Sequence, residues 1–280
     1  MLFLVSKQPH RNHAFIQQKN HRTSRNSKIS KRRFSVDNLT APYRQKWQND
    51  FPKVILNAAL GDASKHSYYV AAKSGDLDAA LILAIDLINQ EAIEKLAIII
   101  QNKKPLLVPV HAEEAISINR IPLAYAIILA RKLELPVELN IVQSAKVSRT
   151  GSDGFSRLAF PPPFSGEPSV KADYAIILDD TLTQGGTLAN LRGYLGQFEI
   201  QTLAATTLTG KNYSSTLAIT DMTLKVLQEN YHELEHWWTS YFGYGFECLT
   251  ESEARYIINS KKDVDAIRNR IIAERQTGFV

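Results

Sequence analysis

Tyr174-Ala-Ile-Ile-Leu-Asp-Asp-Thr-Leu-Thr-Gln-Gly-Gly-Thr-Leu-Ala-Asn190 sets an apolar run against two adjacent carboxylates, Asp179 and Asp180. Hydroxyls, two glycines and a helix-like segment follow. Buried parallel strands read as continuous apolar runs, and ligands of open α/β sheets sit beyond the carboxyl ends of the strands. The order predicts a buried strand that opens into an anion-holding turn at a helix N-terminus, where unpaired N–H groups and the positive end of the helix dipole suit phosphate.

The turn Thr183-Gln184-Gly185-Gly186-Thr187 contains no Lys, which excludes a nucleoside-triphosphate P-loop. Gly185 and Gly186 permit positive φ and close backbone approach, Thr183 and Thr187 supply hydroxyl donors, and successive N–H groups form an anion-binding concavity. Two carboxylates would repel a phosphate. They are expected to face sugar hydroxyls or a hydrated magnesium ion. A ribose 5-phosphate satisfies both halves of the motif.

Segment 176–187 resembles the phosphoribosyl-pyrophosphate signature of type I phosphoribosyltransferases: an apolar strand, an acidic pair, two further residues, then a hydroxyl- and glycine-rich loop. The resemblance implies a parallel sheet flanked by helices. It implies that Asp179 and Asp180 contact the ribose and hold magnesium, directly or through water. Thr183, Gln184, Gly185, Gly186 and Thr187 would take the 5′-phosphate, with Asp179, Asp180 and Thr183 carrying the chemistry. The chain departs from the pattern at Thr181, where an aliphatic residue is usual, and at Gln184, where Thr or another small residue is usual. Segment 106–209 is most similar to the competence-protein ComF-like branch, through Val-Pro-Val before a polar loop, Arg-Lys-Leu-x-Leu-Pro at a helix end, and Asp-Asp-x-Leu-Thr. Thr183 is shared with orotate phosphoribosyltransferases.

The surrounding pattern alternates strand and helix, which argues a parallel sheet. Residues 76–100 carry apolar residues at helical spacing, with Asp76 as N-cap and a break near Asn89-Gln90. Residues 105–110 read as a strand, 122–135 as a helix with Pro122 in its first turn, 137–142 as a strand and 201–209 as another. By the resemblance, Val110 to Arg120 is the pyrophosphate loop, with His111 and Arg120 serving the anion. Glu113 and Glu114 in that loop would reach magnesium or point away. Residues 144–172 form a long loop. Loops beyond about 12–15 residues are uncommon unless functional or disordered. This one carries Lys146, Arg149, Arg157 and Lys171 among glycines. The family likeness makes it a cationic flap that closes over the site, with Arg149 and Arg157 as pyrophosphate ligands.

Net charge is +5 overall, yet residues 1–50 hold 11 Lys or Arg against two Asp, so the remainder is acidic. That basic segment lacks apolar periodicity and is expected to be a disordered tail, with a weak nucleic-acid contact through Lys28-Ile-Ser-Lys-Arg-Arg33. An α/β domain is expected over 51–225 and a helical extension over 226–280, with Thr250-x-x-Glu253 as a capping box. The single cysteine, Cys248, excludes an internal disulfide, and no apolar run reaches the roughly 18 residues of a membrane helix. A cytoplasmic setting is expected. The expected partners are phosphoribosyl pyrophosphate, an unidentified nitrogenous base and a second copy in a homodimer. Two other readings stand open. One is a non-catalytic sensor of a phosphoribosyl ligand, related to competence or DNA. The other is a zinc hydrolase built on His232-Glu233-Leu-Glu-His236, with Glu251 or Glu253 as third ligand; the same histidines fit an exposed face of an amphipathic helix whose Leu227, Leu234, Trp237 and Trp238 are buried.

Overall fold

The computed structural model describes residues 43–112, 118–144 and 153–277. The basic tail before Tyr43, Glu113 and Glu114, and the loop arm holding Lys146 and Arg149 lie outside the described residues.

In chain order the elements are β1 (Ile55–Ala59), α1 (Asp62–Lys65), α2 (Tyr69–Lys73), α3 (Leu77–Leu87), α4 (Gln90–Ile100), β2 (Leu106–Pro109), α5 (Ile121–Leu133), β3 (Val142–Gln143), α6 (Gly154–Ala159), β4 (Phe164–Ser165), β5 (Tyr174–Leu182), α7 (Gly186–Gly196), β6 (Gln201–Gly210), α8 (Asp221–Phe242), α9 (Glu251–Asn259) and α10 (Val264–Thr277). Four strands form one sheet in the order β1-β6-β5-β2, every pair parallel. The fold class is therefore the expected parallel sheet flanked by helices, with a helical C-terminus.

Strand alternation sends the apolar run of β5 to two separate cores. Ala175 and Ile177 enter a core with α7 and the C-terminal helices, whereas Ile176 and Leu178 enter a core with α3, α4 and α5. Both faces of the sheet are thereby covered, which is why this strand reads as uniformly apolar. The break expected inside 76–100 falls at Asn89, whose side chain accepts from the Glu91 N–H and caps α4, and Asp76 caps α3 by accepting from the Ala79 N–H.

The strand expected over 137–142 forms only in part. The Leu107 N–H donates to Pro136 O at 2.9 Å and the Glu138 N–H to Leu107 O at 2.9 Å, so the segment starts to pair along β2. The fully buried Glu138 then interrupts it. Its carboxylate accepts from the Asn140 N–H and from both the N–H and the hydroxyl of Ser169, each at 2.6 Å. Pairing resumes where the Gln143 N–H reaches His111 O at 2.7 Å. The expected loop over 144–172 also contains regular structure. Asp153 caps α6, and β4 pairs antiparallel with β3.

Residues 43–50, part of the tail by composition, lie against α7. Trp47 is buried and its indole N–H donates to Leu249 O at 2.9 Å, while Arg192 of α7 donates to Gln45 O and Lys46 O, both at 3.1 Å. Gly193 permits the approach: a Cβ there would fall 1.3 Å from Tyr43 O. Among the described residues, no helix is long and apolar enough to cross a membrane.

Candidate functional site

β5 carries its ladder through the acidic pair, with Asp179 opposite Thr207, Thr181 opposite Thr209 and Leu182 opposite Gly210 on β6. The two carboxylates therefore sit within a strand, near its carboxyl end. Asp180 is reached by Lys73 of α2 and by Asn119 just before α5, and the Asp179 side chain stays within hydrogen-bonding reach of Asp180. Thr183 and Gln184 bend the chain, and Gly185 takes φ +80° as the N-cap of α7. An L-residue is strained at that φ, and a Cβ at Gly185 would also fall 2.3 Å from Leu217 Cδ2. The glycine requirement read from the sequence thus has a steric cause. The first N–H groups of α7 have no intrahelical acceptor, and they follow directly on the carboxyl end of β5. The strand, turn and helix follow one another in the order that the sequence predicts.

The C-terminal helices brace that turn from behind. The Thr250 hydroxyl donates to Gln184 O at 2.5 Å and accepts from the Glu253 N–H at 3.1 Å, and the expected capping box is complete. The Arg44 guanidinium reaches Gly186 O, Cys248 O, Asn190 Oδ1 and both carboxylate oxygens of Glu253. We expect Thr250→Ala to lower stability by about 1–2 kcal/mol, within the range of a lost N-cap, and Thr250→Ser to restore most of it in urea unfolding.

Lys73 is the site residue that sequence reasoning missed. It ends α2, and its Nζ lies 2.5 Å from Asp180 Oδ2; Asn119 Nδ2 donates to the same oxygen at 2.9 Å. Asp179 Oδ1 accepts the Asp180 N–H at 2.8 Å. Burial pushes Asp180 up, but the Lys73 ammonium and the donors from Lys73 and Asn119 outweigh it and hold the carboxyl below the usual carboxylate range. Burial pushes Lys73 down, and the Asp180 charge outweighs that in turn, raising the ammonium. The depressed carboxyl contributes stability above its unfolded pKa and loses it as pH falls through the folded value. The raised ammonium contributes below its unfolded pKa and loses it as pH rises through the folded value. The pair is therefore expected to support the fold between roughly pH 4 and pH 10.5. In Asp180→Asn the acid limb of a melting-temperature profile should flatten below about pH 4.

The remaining expected site residues separate into two groups. Arg120 directly follows Asn119 at the start of α5, and its N–H donates to Ala72 O at 3.1 Å, which places it beside the Lys73 turn. Gln184 and Thr187 stand in the turn; Gln184 Oε1 is buried with no hydrogen-bond partner among the described residues. His111 is engaged elsewhere. Its Nδ1 lies 3.1 Å from Pro109 O and its Nε2 lies 3.0 Å from Leu139 O, so both ring nitrogens address the backbone that links β2 to its interrupted neighbour. Arg157 rides on α6, which docks on α10 through Ser156 to Glu274 at 2.6 Å and Arg275 to Ala159 O at 2.8 Å. A cleft of about 470 Å³ opens at the carboxyl ends of β1 and β6, lined in part by Asn57, Ala59, Gly210 and Lys211. Gly210 pairs with Leu182, so the cleft adjoins the end of β5.

The zinc reading loses its third ligand. His232, Glu233 and His236 are exposed on α8, just past a non-helical Tyr231, while Leu227, Leu234 and Trp238 are buried on the opposite face. Glu251 accepts from the Thr220 N–H at 2.9 Å and the Thr223 hydroxyl at 2.8 Å, and Glu253 is paired with Arg44. Among the described residues, no group of three or more His, Cys, Asp or Glu could hold a metal ion.

No family model matches the chain. Protein TraN of Escherichia coli is 42% identical over 233 residues, 83% of this chain and 51% of that protein. An uncharacterized protein of Haemophilus influenzae is 52% identical over 152 residues, 54% of this chain and 34% of that protein. The chain thus spans about half or less of the length of these relatives. Among solved structures, a hypoxanthine phosphoribosyltransferase from Staphylococcus aureus is similar at TM-score 0.32 and 16% identity, over 47% of this chain and 65% of that one. An adenine phosphoribosyltransferase from Leishmania donovani is similar at TM-score 0.30 and 11% identity, over 60% and 75%. At these TM-scores the functional reading rests on the site's own geometry.

Proposed function

We propose that the 179–187 site binds phosphoribosyl pyrophosphate and transfers its phosphoribosyl group to a nitrogenous base, releasing pyrophosphate. One observation carries the reading: a buried parallel strand delivers two carboxylates directly beside a lysine-free turn whose Gly185 caps α7 at φ +80° without a side-chain cap bond. In this reading the backbone N–H groups of the turn and the Thr183 and Thr187 hydroxyls hold the 5′-phosphate, and Asp179 accepts from the ribose hydroxyls. The cleft beside Gly210 and Lys211 lies within the size range of small-molecule sites, about 300–1,000 Å³, and would take the acceptor. The chain's contribution is orientation and charge placement at the anomeric carbon, with no covalent intermediate.

A magnesium ion held by the protein does not fit the donor set. One of the two carboxylates is already neutralised by Lys73.

Calorimetric binding of phosphoribosyl pyrophosphate, paired with a pyrophosphate-release assay over a panel of bases, tests the proposal. Release with one base supports transfer. Binding without release on any base supports the sensor reading instead. No binding at all sinks both.

A further inference from the structure

The cation that the acidic pair was expected to recruit is supplied by the chain itself. Lys73 and Asp180 are 107 residues apart in sequence, yet the ammonium sits 2.5 Å from the carboxylate, with side-chain exposures of 35% and 13%. Asn119 donates to the same oxygen from a second direction. The backbone around Lys73 is pinned. Ala72 O accepts the Arg120 N–H, and Gly75, at φ +106°, packs against Ile118. This is a scaffolded pair, unlike the exposed i,i+4 pairs of the surface such as Lys95 with Glu91.

For a divalent ion to take Asp180, it would have to displace a tethered cation already at contact distance. It would also have to shed water, which magnesium does reluctantly. An ammonium carries three N–H donors. Among the described residues, one bonds Asp180 Oδ2, and the Lys73 side chain is 35% exposed. Its remaining donors are available to an anionic ligand at the carboxyl edge of β5. Net charge at the acidic pair falls from two negative charges to one, which lowers the repulsion an incoming phosphate meets.

We infer that Lys73 is the built-in cation of this site: its ammonium, seated on Asp180 and Asn119, supplies to the sugar phosphate the positive charge otherwise expected of magnesium, and the ligand binds without a divalent ion. The inference rests on the phosphoribosyl reading above. It makes Lys73 a binding residue and assigns Asp180 the role of positioning it, leaving Asp179 to the ribose.

Calorimetry with ribose 5-phosphate on the full chain, once in EDTA and once in magnesium, tests it. Wild type is expected to bind in EDTA with a Kd within about threefold of that in magnesium, a difference under roughly 0.7 kcal/mol. Lys73→Met is expected to bind at least about tenfold more weakly in EDTA, and Lys73→Arg to keep most of the affinity. Wild-type binding that vanishes in EDTA and returns with magnesium overturns the inference while leaving the phosphoribosyl reading intact. Lys73→Met binding as wild type also overturns it. A flat wild-type isotherm in both buffers overturns the phosphoribosyl reading and the inference with it. Should Lys73→Met fail to fold, the wild-type comparison of the two buffers decides alone.

Discussion

Arg44→Met is expected to lower folding stability by about 3–5 kcal/mol, the range found when one member of a buried ion pair is removed. Side-chain exposures of Arg44 and Glu253 are 2% and 3%, and the contact is bidentate at 2.8 and 2.9 Å. The Arg44 Nε also donates to Asn190 Oδ1 at 2.5 Å, and the guanidinium stands 5.4 Å from the Tyr244 ring centroid. Every face of the cation is therefore occupied, and the Glu253 charge outweighs the cost of burial to raise the guanidinium above its ordinary range. Met fills similar volume but leaves Glu253 buried, with the Thr250 N–H at 2.9 Å as its remaining donor. The expected observation is a lower urea midpoint at an unchanged slope. The double replacement Arg44→Met with Glu253→Met should recover a large part of the loss, because the penalty comes from the orphaned charge more than from the missing attraction. A single variant as stable as wild type would show that the pair does not brace the turn.

That network also explains why the packing of residues 43–50 was hard to see in the sequence. Residues 43–50 belong by composition to a basic, low-periodicity stretch, and only Tyr43, Trp47 and Phe51 hint at packing. What holds the segment is long-range: Arg44 to Glu253, Trp47 to Leu249, and a backbone that touches α7 at Gly193. Lys73 was hidden for the same reason. A five-residue helix has no periodicity, and its partner lies on another strand. β1 is likewise a five-residue strand, and its polar Asn57 is buried only because it meets Tyr125 OH and Thr207 O. The Glu138 interruption could not be read locally either, since one of its partners is Ser169.

The features legible in the sequence were those written in local chemistry. The apolar run of β5 reflects burial on both faces, Asp76, Asn89 and Thr250 are caps whose bonds span two or three residues, and Gly185 answers a positive φ.

The contacts of Lys73 and Asn119 with Asp180 predict unequal consequences for the two aspartates. Asp180→Ala removes the seat of Lys73, leaves a half-buried ammonium unpaired, and is expected to act mainly on stability and on the position of Lys73. Asp179→Ala is expected to act on the ligand. In the proposed reading Asp179 accepts from two ribose hydroxyls, and hydrogen bonds to a charged group contribute about 1.5–3 kcal/mol each. Losing both should weaken ribose 5-phosphate binding by about 100-fold or more. Phosphate alone, which lacks the hydroxyls, should bind Asp179→Ala no more weakly than wild type, since the variant removes a negative charge from beside the turn. The two titrations together separate sugar recognition from anion recognition. If Asp179→Ala binds ribose 5-phosphate within about threefold of wild type, the ribose is not held by Asp179, and the site reduces to an anion cradle at the start of α7.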